Sequence, residues 1–281
     1  MAASEAPTVR RAALSPSRIN DFRQCPLLFR FRTIDRLPEP PSSAATRGTL
    51  VHAVLERLYD LPARERTVAA ATALLRPEWE RLCEREPALT ELFSDAEDLS
   101  AWMLSASDLL ATYFRTEDPR RLEPADRELL CEVELTSGVL LRGIVDRIDV
   151  APDGAIRVVD YKTGKSPSER FSAGALFQMR FYALLLWRLR GVVPRRLQLV
   201  YLGDGQVLTY DPDEAALLAT ERMVEAIWEA IEKATLAGTF PPRQSRLCDW
   251  CAHQGLCPSF GGTPPPLPDE AAKRLLAARN H

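Results

Sequence analysis

From about Arg127 to Thr163 the chain alternates apolar and polar residues in three stretches, and this pattern constrains the fold more than any other feature. "ELLCEVELTS" is followed by a Ser-Gly turn, "VLLRGIVDRIDV" by Pro-Asp-Gly, and "AIRVVDYKT" completes the series. A period of two broken by tight turn signals predicts an antiparallel meander, with successive side chains on opposite faces. Three charged residues lie within it: Asp146 on the second strand, and Asp160 and Lys162 on the third.

Helical periods flank the meander. "SPSRINDFRQCPLLFRF" opens with a Ser-Pro-Ser capping signal and reads as a short helix, followed by the loop "LPEPPSSAATRG". Leu50, Val51, Val54, Leu55 and Leu58 give residues 49–60 a helical stripe, and 67–116 read as two or three further helices. Residues 172–190 return to a helical period, "RLQLVYLGDGQVLTY" is a strand pair around Gly-Asp-Gly, and 212–236 is a long amphipathic helix. The expectation is a compact α/β fold: a mixed central sheet flanked by helices, with a helical insertion over 60–125. Residues 1–13 are expected to be disordered. Residues 261–281 are expected to form a Pro-rich linker and a short C-terminal helix.

Asp160 and Lys162 are two apart and so share a strand face. If the two strands pair around Pro-Asp-Gly, Asp146 and Asp160 converge at one end of the sheet. Two desolvated carboxylates repel, and one stays protonated unless a cation lies between them. Oxygen ligands of this kind suit Mg²⁺ or Mn²⁺, and a lysine beside them can orient a water or stabilise charge building on a phosphate. A salt bridge at a solvated sheet edge, Asp160–Lys162 or Asp146–Arg142, is the plain alternative. His52 on the 49–60 helix, and Gln178 with Tyr182 four apart on the 172–190 helix, add further polar groups. Taken singly, each also fits an ordinary amphipathic helix.

In chain order, G-T-L-V-H (48–52), G-I-V-D-R-I-D (143–149), V-D-Y-K-T-G (159–164) and Q-x-x-x-Y (178–182) resemble the RecB-type nucleases of the PD-(D/E)xK superfamily. The likeness runs from about Leu14 to Pro258 and implies a restriction-endonuclease-like core over 14–260. It implies that His52, Asp146 and Asp160 bind the metal with the carbonyl of Tyr161. It also implies that Lys162 is the catalytic lysine, and that Gln178 and Tyr182 complete the site near the scissile phosphate.

Cys248, Cys251 and Cys257 form C-x₂-C-x₅-C, with Cys25 far upstream in "QCPLLF". Three clustered thiols need a fourth ligand for a tetrahedral Zn²⁺ site or a cubane cluster. His253 could serve zinc but has little freedom between Cys251 and Cys257. Cys25, followed by proline as Cys257 is, fits better. One N-terminal cysteine and three C-terminal ones resemble the iron–sulfur staple of AddB-type and CRISPR-associated relatives of RecB. The resemblance implies a [4Fe–4S] cluster closing 248–257 on Cys25, with zinc as the second choice. Cys83 and Cys131 read as ordinary buried thiols.

The net charge of −3 excludes a polycationic nucleic-acid binder in bulk but not a local basic groove. Of the 36 cationic residues, 32 are arginine. Arg18, Arg23, Arg30 and Arg32 alternate with Phe22, Phe29 and Phe31, a mixture that suits a single strand through phosphate contact and stacking. The same phenylalanines could equally be core. No apolar run is long enough to span a bilayer, and the N-terminus lacks a secretory pattern, so a cytoplasmic protein is expected. The expected activity is a metal-dependent exonuclease on DNA single strands or duplex ends. Nothing resembles a P-loop, so unwinding would need a separate helicase. The rivals are a non-catalytic DNA-end-binding scaffold subunit and a nuclease on RNA or CRISPR prespacers.

Overall fold

The computed structural model describes residues 11–168 and 172–277. It divides into two compact units, one formed by Pro40–Cys131 and Ile144–Leu217, the other by Met1–Glu39, Glu132–Gly143 and Leu218–His281.

The alternating stretches become β1 (Asp126–Glu134), β2 (Leu140–Val150) and β3 (Ile156–Lys162). β2 and β3 pair antiparallel, with Arg147 opposite Val159 and Ile148 opposite Val158. The Gly-Asp-Gly strand pair becomes β4 (Arg196–Tyr201) and β5 (Gln206–Tyr210). β4 runs parallel to β3, and the crossover this requires is supplied by α6 (Ser172–Arg190). The sheet is therefore mixed and five-stranded, in the order β1-β2-β3-β4-β5. The expected α/β architecture is the one observed.

Three helices bury one face of this sheet: α3 (Ser43–Leu58), α4 (Val68–Arg85) and α5 (Ala96–Thr116). All five apolar residues of the stripe on α3 are buried, and they join Trp79, Leu110 and Tyr113 over Val159, Tyr161 and Val200. Apolar burial of about 25 cal/mol per Å² makes this packing the main force holding α3 against β3. At the far end of β3, the amide of Leu202 donates to the Lys162 carbonyl at 2.7 Å and that of Gly203 to the Gly164 carbonyl at 3.1 Å. A Cβ at Gly203 would lie 2.6 Å from that carbonyl oxygen, so only glycine permits so close a backbone approach.

In the other unit, Ser15 caps α1 (Pro16–Gln24) by accepting from the Arg18 amide. α2 (Pro26–Phe29) and a π-helical turn (Arg30–Asp35) follow. Phe29 and Phe31 are buried, and Phe22 packs edge-on against Phe29. Arg30 pairs with Asp35 at 3.0 Å and donates to the Pro265 carbonyl, while Arg32 pairs with Asp21 and Glu39. The burial of Phe29 and Phe31 fits the core reading of this stretch, while Phe22 is half-buried. Of the residues expected to be disordered, 1–10 lie outside the described residues; Arg11 pairs with Glu134 and Ala13 is buried. α7 (Glu214–Leu236) buries Val224, Trp228 and Ile231 along one side, and α8 spans Asp269–Leu276. Among the described residues no helix is long and apolar enough to cross a membrane.

Candidate active site

The residues singled out at the hairpin meet at the ends of β2 and β3. One further step along the β2–β3 register sets Asp146 opposite Asp160, and both are buried, Asp160 to 4 % exposure. Here the ladder gives way to a side-chain contact: Asp146 Oδ2 accepts the Tyr161 amide at 2.6 Å. His52, one turn along α3 from Gly48, reaches the same point. Its Nε2 is 3.0 Å from the Tyr161 carbonyl oxygen and its Nδ1 is 3.5 Å from Asp146 Oδ2. α3 comes this close partly because Gly48 has no side chain; a Cβ there would meet Thr163 Oγ1 at 3.3 Å.

Asp160, on the same sheet face as Asp146, reaches toward α6. Its Oδ1 accepts from Gln178 Nε2 at 3.1 Å, and Gln178 is in turn 3.5 Å from the Tyr182 hydroxyl. Its Oδ2 lies 2.6 Å from Lys162 Nζ as an ion pair. Asp35 Oδ2 and Asp149 Oδ1, each paired with an arginine, likewise meet their cations as ion pairs rather than aligned hydrogen bonds. The expected alternation is thus present: Asp160 and Lys162 share a face and α6 covers it with Gln178 and Tyr182. The alternative salt bridge from Asp146 to Arg142 is not formed, because Arg142 pairs with Glu132.

The electrostatics show what this costs. Burial first, then the charge of Asp146, pushes the Asp160 carboxyl up to about 6, with Lys162 pulling the other way. His52 is opposed by its own burial, yet Asp146 and Glu128 outweigh that and push its ring up to about 10. Tyr182 is raised by burial and then by the Asp160 charge.

Glu128 escaped the sequence reading. Its Oε1 is 3.6 Å from His52 Nδ1, and ligand atoms of His52, Glu128 and Asp146 all lie within 4.8 Å of one another. Glu128 also holds a left-handed backbone, φ 44°, inside β1, a strain of order 1–3 kcal/mol for a residue with a Cβ. It is one of three glutamates on that strand, with Glu132 and Glu134, and nothing in the sequence distinguishes it. Only the pairing of β1 beside β2 brings it to His52.

Cys25, Cys248, Cys251 and Cys257 lie in the other unit, and Cys83 and Cys131 in the same unit as the site. All six are free. Cys25, Cys248, Cys251 and Cys257 line one cavity of about 250 Å³. Cys25 Sγ accepts from the Arg243 amide and Cys248 Sγ from the Ser245 amide, each at 3.4 Å. His253 turns elsewhere, with its Nε2 2.9 Å from Glu39 and its ring edge-on to Phe31. Cys131 is fully buried and Cys83 half-buried, away from that cavity.

A mixed sheet carrying two facing aspartates, a lysine two residues after the second, and a histidine from a flanking helix defines a nuclease class. Residues 13–258 match the model of the PD-(D/E)XK nuclease superfamily, and the chain belongs to that superfamily. It is similar to the Gene 69 protein of Mycobacterium phage D29, 25 % identical over 271 residues, covering 88 % of this chain and 96 % of the phage protein. The Gene 69 protein of Mycobacterium phage L5 is 24 % identical over 289 residues, with the same coverage. The crystal structure of a candidate exonuclease from Eubacterium rectale shares the fold at a TM-score of 0.58, with 17 % identity over 86 % of this chain and 87 % of that one. Members of this superfamily use divalent metals, and a His/Glu/Asp cluster of the kind that holds one is present here.

Proposed function

We propose that this protein is a Mg²⁺- or Mn²⁺-dependent exodeoxyribonuclease of the RecB type, hydrolysing phosphodiester bonds at single strands or duplex ends in DNA repair or recombination. The observation that carries this reading is the convergence at the hairpin: buried Asp160, paired with Lys162 at 2.6 Å, lies across from a second buried carboxylate, Asp146, which His52 meets at 3.5 Å. A purely structural salt bridge has no need of a second buried carboxylate beside the first.

The residues fit a divalent cation. His52, Asp146 and Glu128 are the ligands gathered within 4.8 Å of one another, and Asp160 and the Tyr161 carbonyl would join them in holding it. Bound there, the cation supplies Lewis-acid polarisation of the phosphate and a more acidic water. Lys162 carries its ammonium where charge accumulates on the phosphate and can orient the attacking water. Gln178 holds Asp160 in place, and Tyr182 adds a hydroxyl toward the scissile phosphate. A binding-only scaffold has no use for Lys162. Unwinding of duplex DNA would fall to a separate helicase.

We further propose that Cys25, Cys248, Cys251 and Cys257 hold a [4Fe–4S] cluster resembling that of AddB-type relatives. Thiolates around a Zn²⁺ with 2.3 Å bonds stand only about 3.8 Å apart. Among the described residues no three of these sulfurs fall within 4.8 Å of one another, which favours a larger guest in that cavity over a single ion. Anaerobically purified protein should be brown, with about four irons per chain. Cys25→Ser should be colourless and less stable, because it reopens a closure of more than 200 residues. A colourless, stable wild type containing one zinc would remove the cluster and leave the nuclease reading intact. The nuclease reading itself is tested with end-labelled single- and double-stranded DNA and Mg²⁺ or Mn²⁺. Metal-dependent release of labelled nucleotides that is absent from Lys162→Ala supports it, and no cleavage of any DNA by wild type overturns it.

A further inference from the structure

Arg147 is the neighbour of Asp146 on β2, yet it points to the opposite face and is 1 % exposed. All three of its nitrogens are engaged. Nη1 and Nη2 each donate to a Glu117 oxygen at 2.8 Å, Nη1 also donates to the Tyr161 hydroxyl at 2.5 Å and the Tyr59 hydroxyl at 3.2 Å, and Nε pairs with Asp149 at 3.1 Å. Glu117 caps the C-terminal end of α5. Tyr59 caps that of α3 and meets the Tyr113 hydroxyl of α5 at 2.5 Å.

The residue that Arg147 grips is the one whose main chain enters the candidate metal site. The Tyr161 amide donates to Asp146 and its carbonyl faces His52. Its ring stands edge-on to both His52 and Tyr113, with centroids at 6.2 and 5.7 Å. A tyrosine side chain fixed at its tip, flank and root allows its peptide group little rotation. We infer that Arg147 is a positioning residue for the metal centre, clamping the Tyr161 phenol so that the Tyr161 carbonyl and the Asp146 carboxylate keep the spacing a cation needs.

Stability alone does not explain the arrangement. A buried ion pair replaced whole by apolar or neutral groups of similar volume is often neutral for folding, whereas removal of one partner is costly. Outer partners that orient metal ligands, by contrast, typically change metal affinity 10- to 100-fold when lost. The inference rests on the metal-site reading above, and the test separates the two.

Mn²⁺ binding is measured by calorimetry, with thermal unfolding in parallel, on the full chain. The variants are Tyr161→Phe, the double variant Arg147→Met with Glu117→Gln, and the direct site variants His52→Ala and Asp146→Asn. The expected result is an Mn²⁺ Kd about 10- to 100-fold weaker in Tyr161→Phe and in the double variant, each retaining a cooperative unfolding transition. If both bind Mn²⁺ within twofold of wild type while His52→Ala and Asp146→Asn lose it, the clamp is wrong and the metal site stands. If the direct site variants also bind normally, both fall. Should the double variant not fold, Tyr161→Phe, which removes one oxygen, decides alone.

Discussion

The two faces of the β2–β3 hairpin solve opposite problems with similar residues. On one, Asp146 and Asp160 are buried as neighbours, and the charge of Asp146 opposes that of Asp160. On the other, Arg147 is buried just as deeply but shares its charge among Glu117, Asp149 and two phenols. An unsatisfied buried charge costs free energy unless something joins it, whereas a satisfied one can be neutral. The first face therefore sets two like charges together, and the second sets opposite charges together. That difference separates what reacts from what supports.

Removing the reactive face should give the largest effect. Lys162→Ala and Asp160→Ala are expected to lower cleavage by at least about 10³-fold, with DNA binding retained, because they act on the transition state. Asp146→Asn should fall nearly as far. Wild-type rates in Lys162→Ala, measured in single turnovers, would dissolve the distinction between the faces.

The supporting face should fail differently. Glu117→Ala leaves the Arg147 charge buried with its main partner gone and is expected to cost about 3–5 kcal/mol in metal-free urea unfolding. A loss under about 1 kcal/mol would mean that water reaches Arg147.

Gln178→Ala and Tyr182→Ala should lie between, slowing cleavage about ten- to a thousand-fold as positioning groups do. If Tyr182→Ala unfolds the protein and leaves the rate per folded molecule unchanged, that ring belongs to packing.

The smallest effect has an unusual sign. The Asp160 carboxyl is raised to about 6 in the fold, from about 3.9 in the unfolded chain. Its neutral form is the one the metal-free fold favours, so its contribution is fully present below about pH 4 and lost as the pH rises through 6. Asp160→Asn should remove that loss, stabilising the metal-free protein at pH 7 by about 1–3 kcal/mol while abolishing cleavage. An unfolding series from pH 4 to 8, in which wild type and variant run parallel, would contradict this.

Much of the site was legible because it is local. Asp146 and Asp160 are fourteen residues apart across a turn with a clear signal, and period two set their faces. Gln178 and Tyr182 were legible as one helix face. His52 was legible only through its motif, since no pattern says which strand a helix will cover. Glu128 and the Arg147 clamp were not legible. Each depends on partners such as β1 beside α3, or the end of α5 beneath β2, that are set by packing rather than spacing. The arginine–phenylalanine stretch allowed two readings for a related reason: alternation of type does not say which side faces inward, and there Phe29 and Phe31 went inward.

The approach of Gly203 to Gly164 has a genetic consequence. Any side chain at 203 must push aside the main chain two residues beyond Lys162. A saturation screen for loss of nuclease function should therefore return position 203 as intolerant even to alanine, although it offers the site no side chain. Second-site suppressors would then be expected in the 164–166 segment, where Ser166 is tied to Asp204 by two hydrogen bonds. Selection on the lysine thus reaches a residue that never meets the substrate.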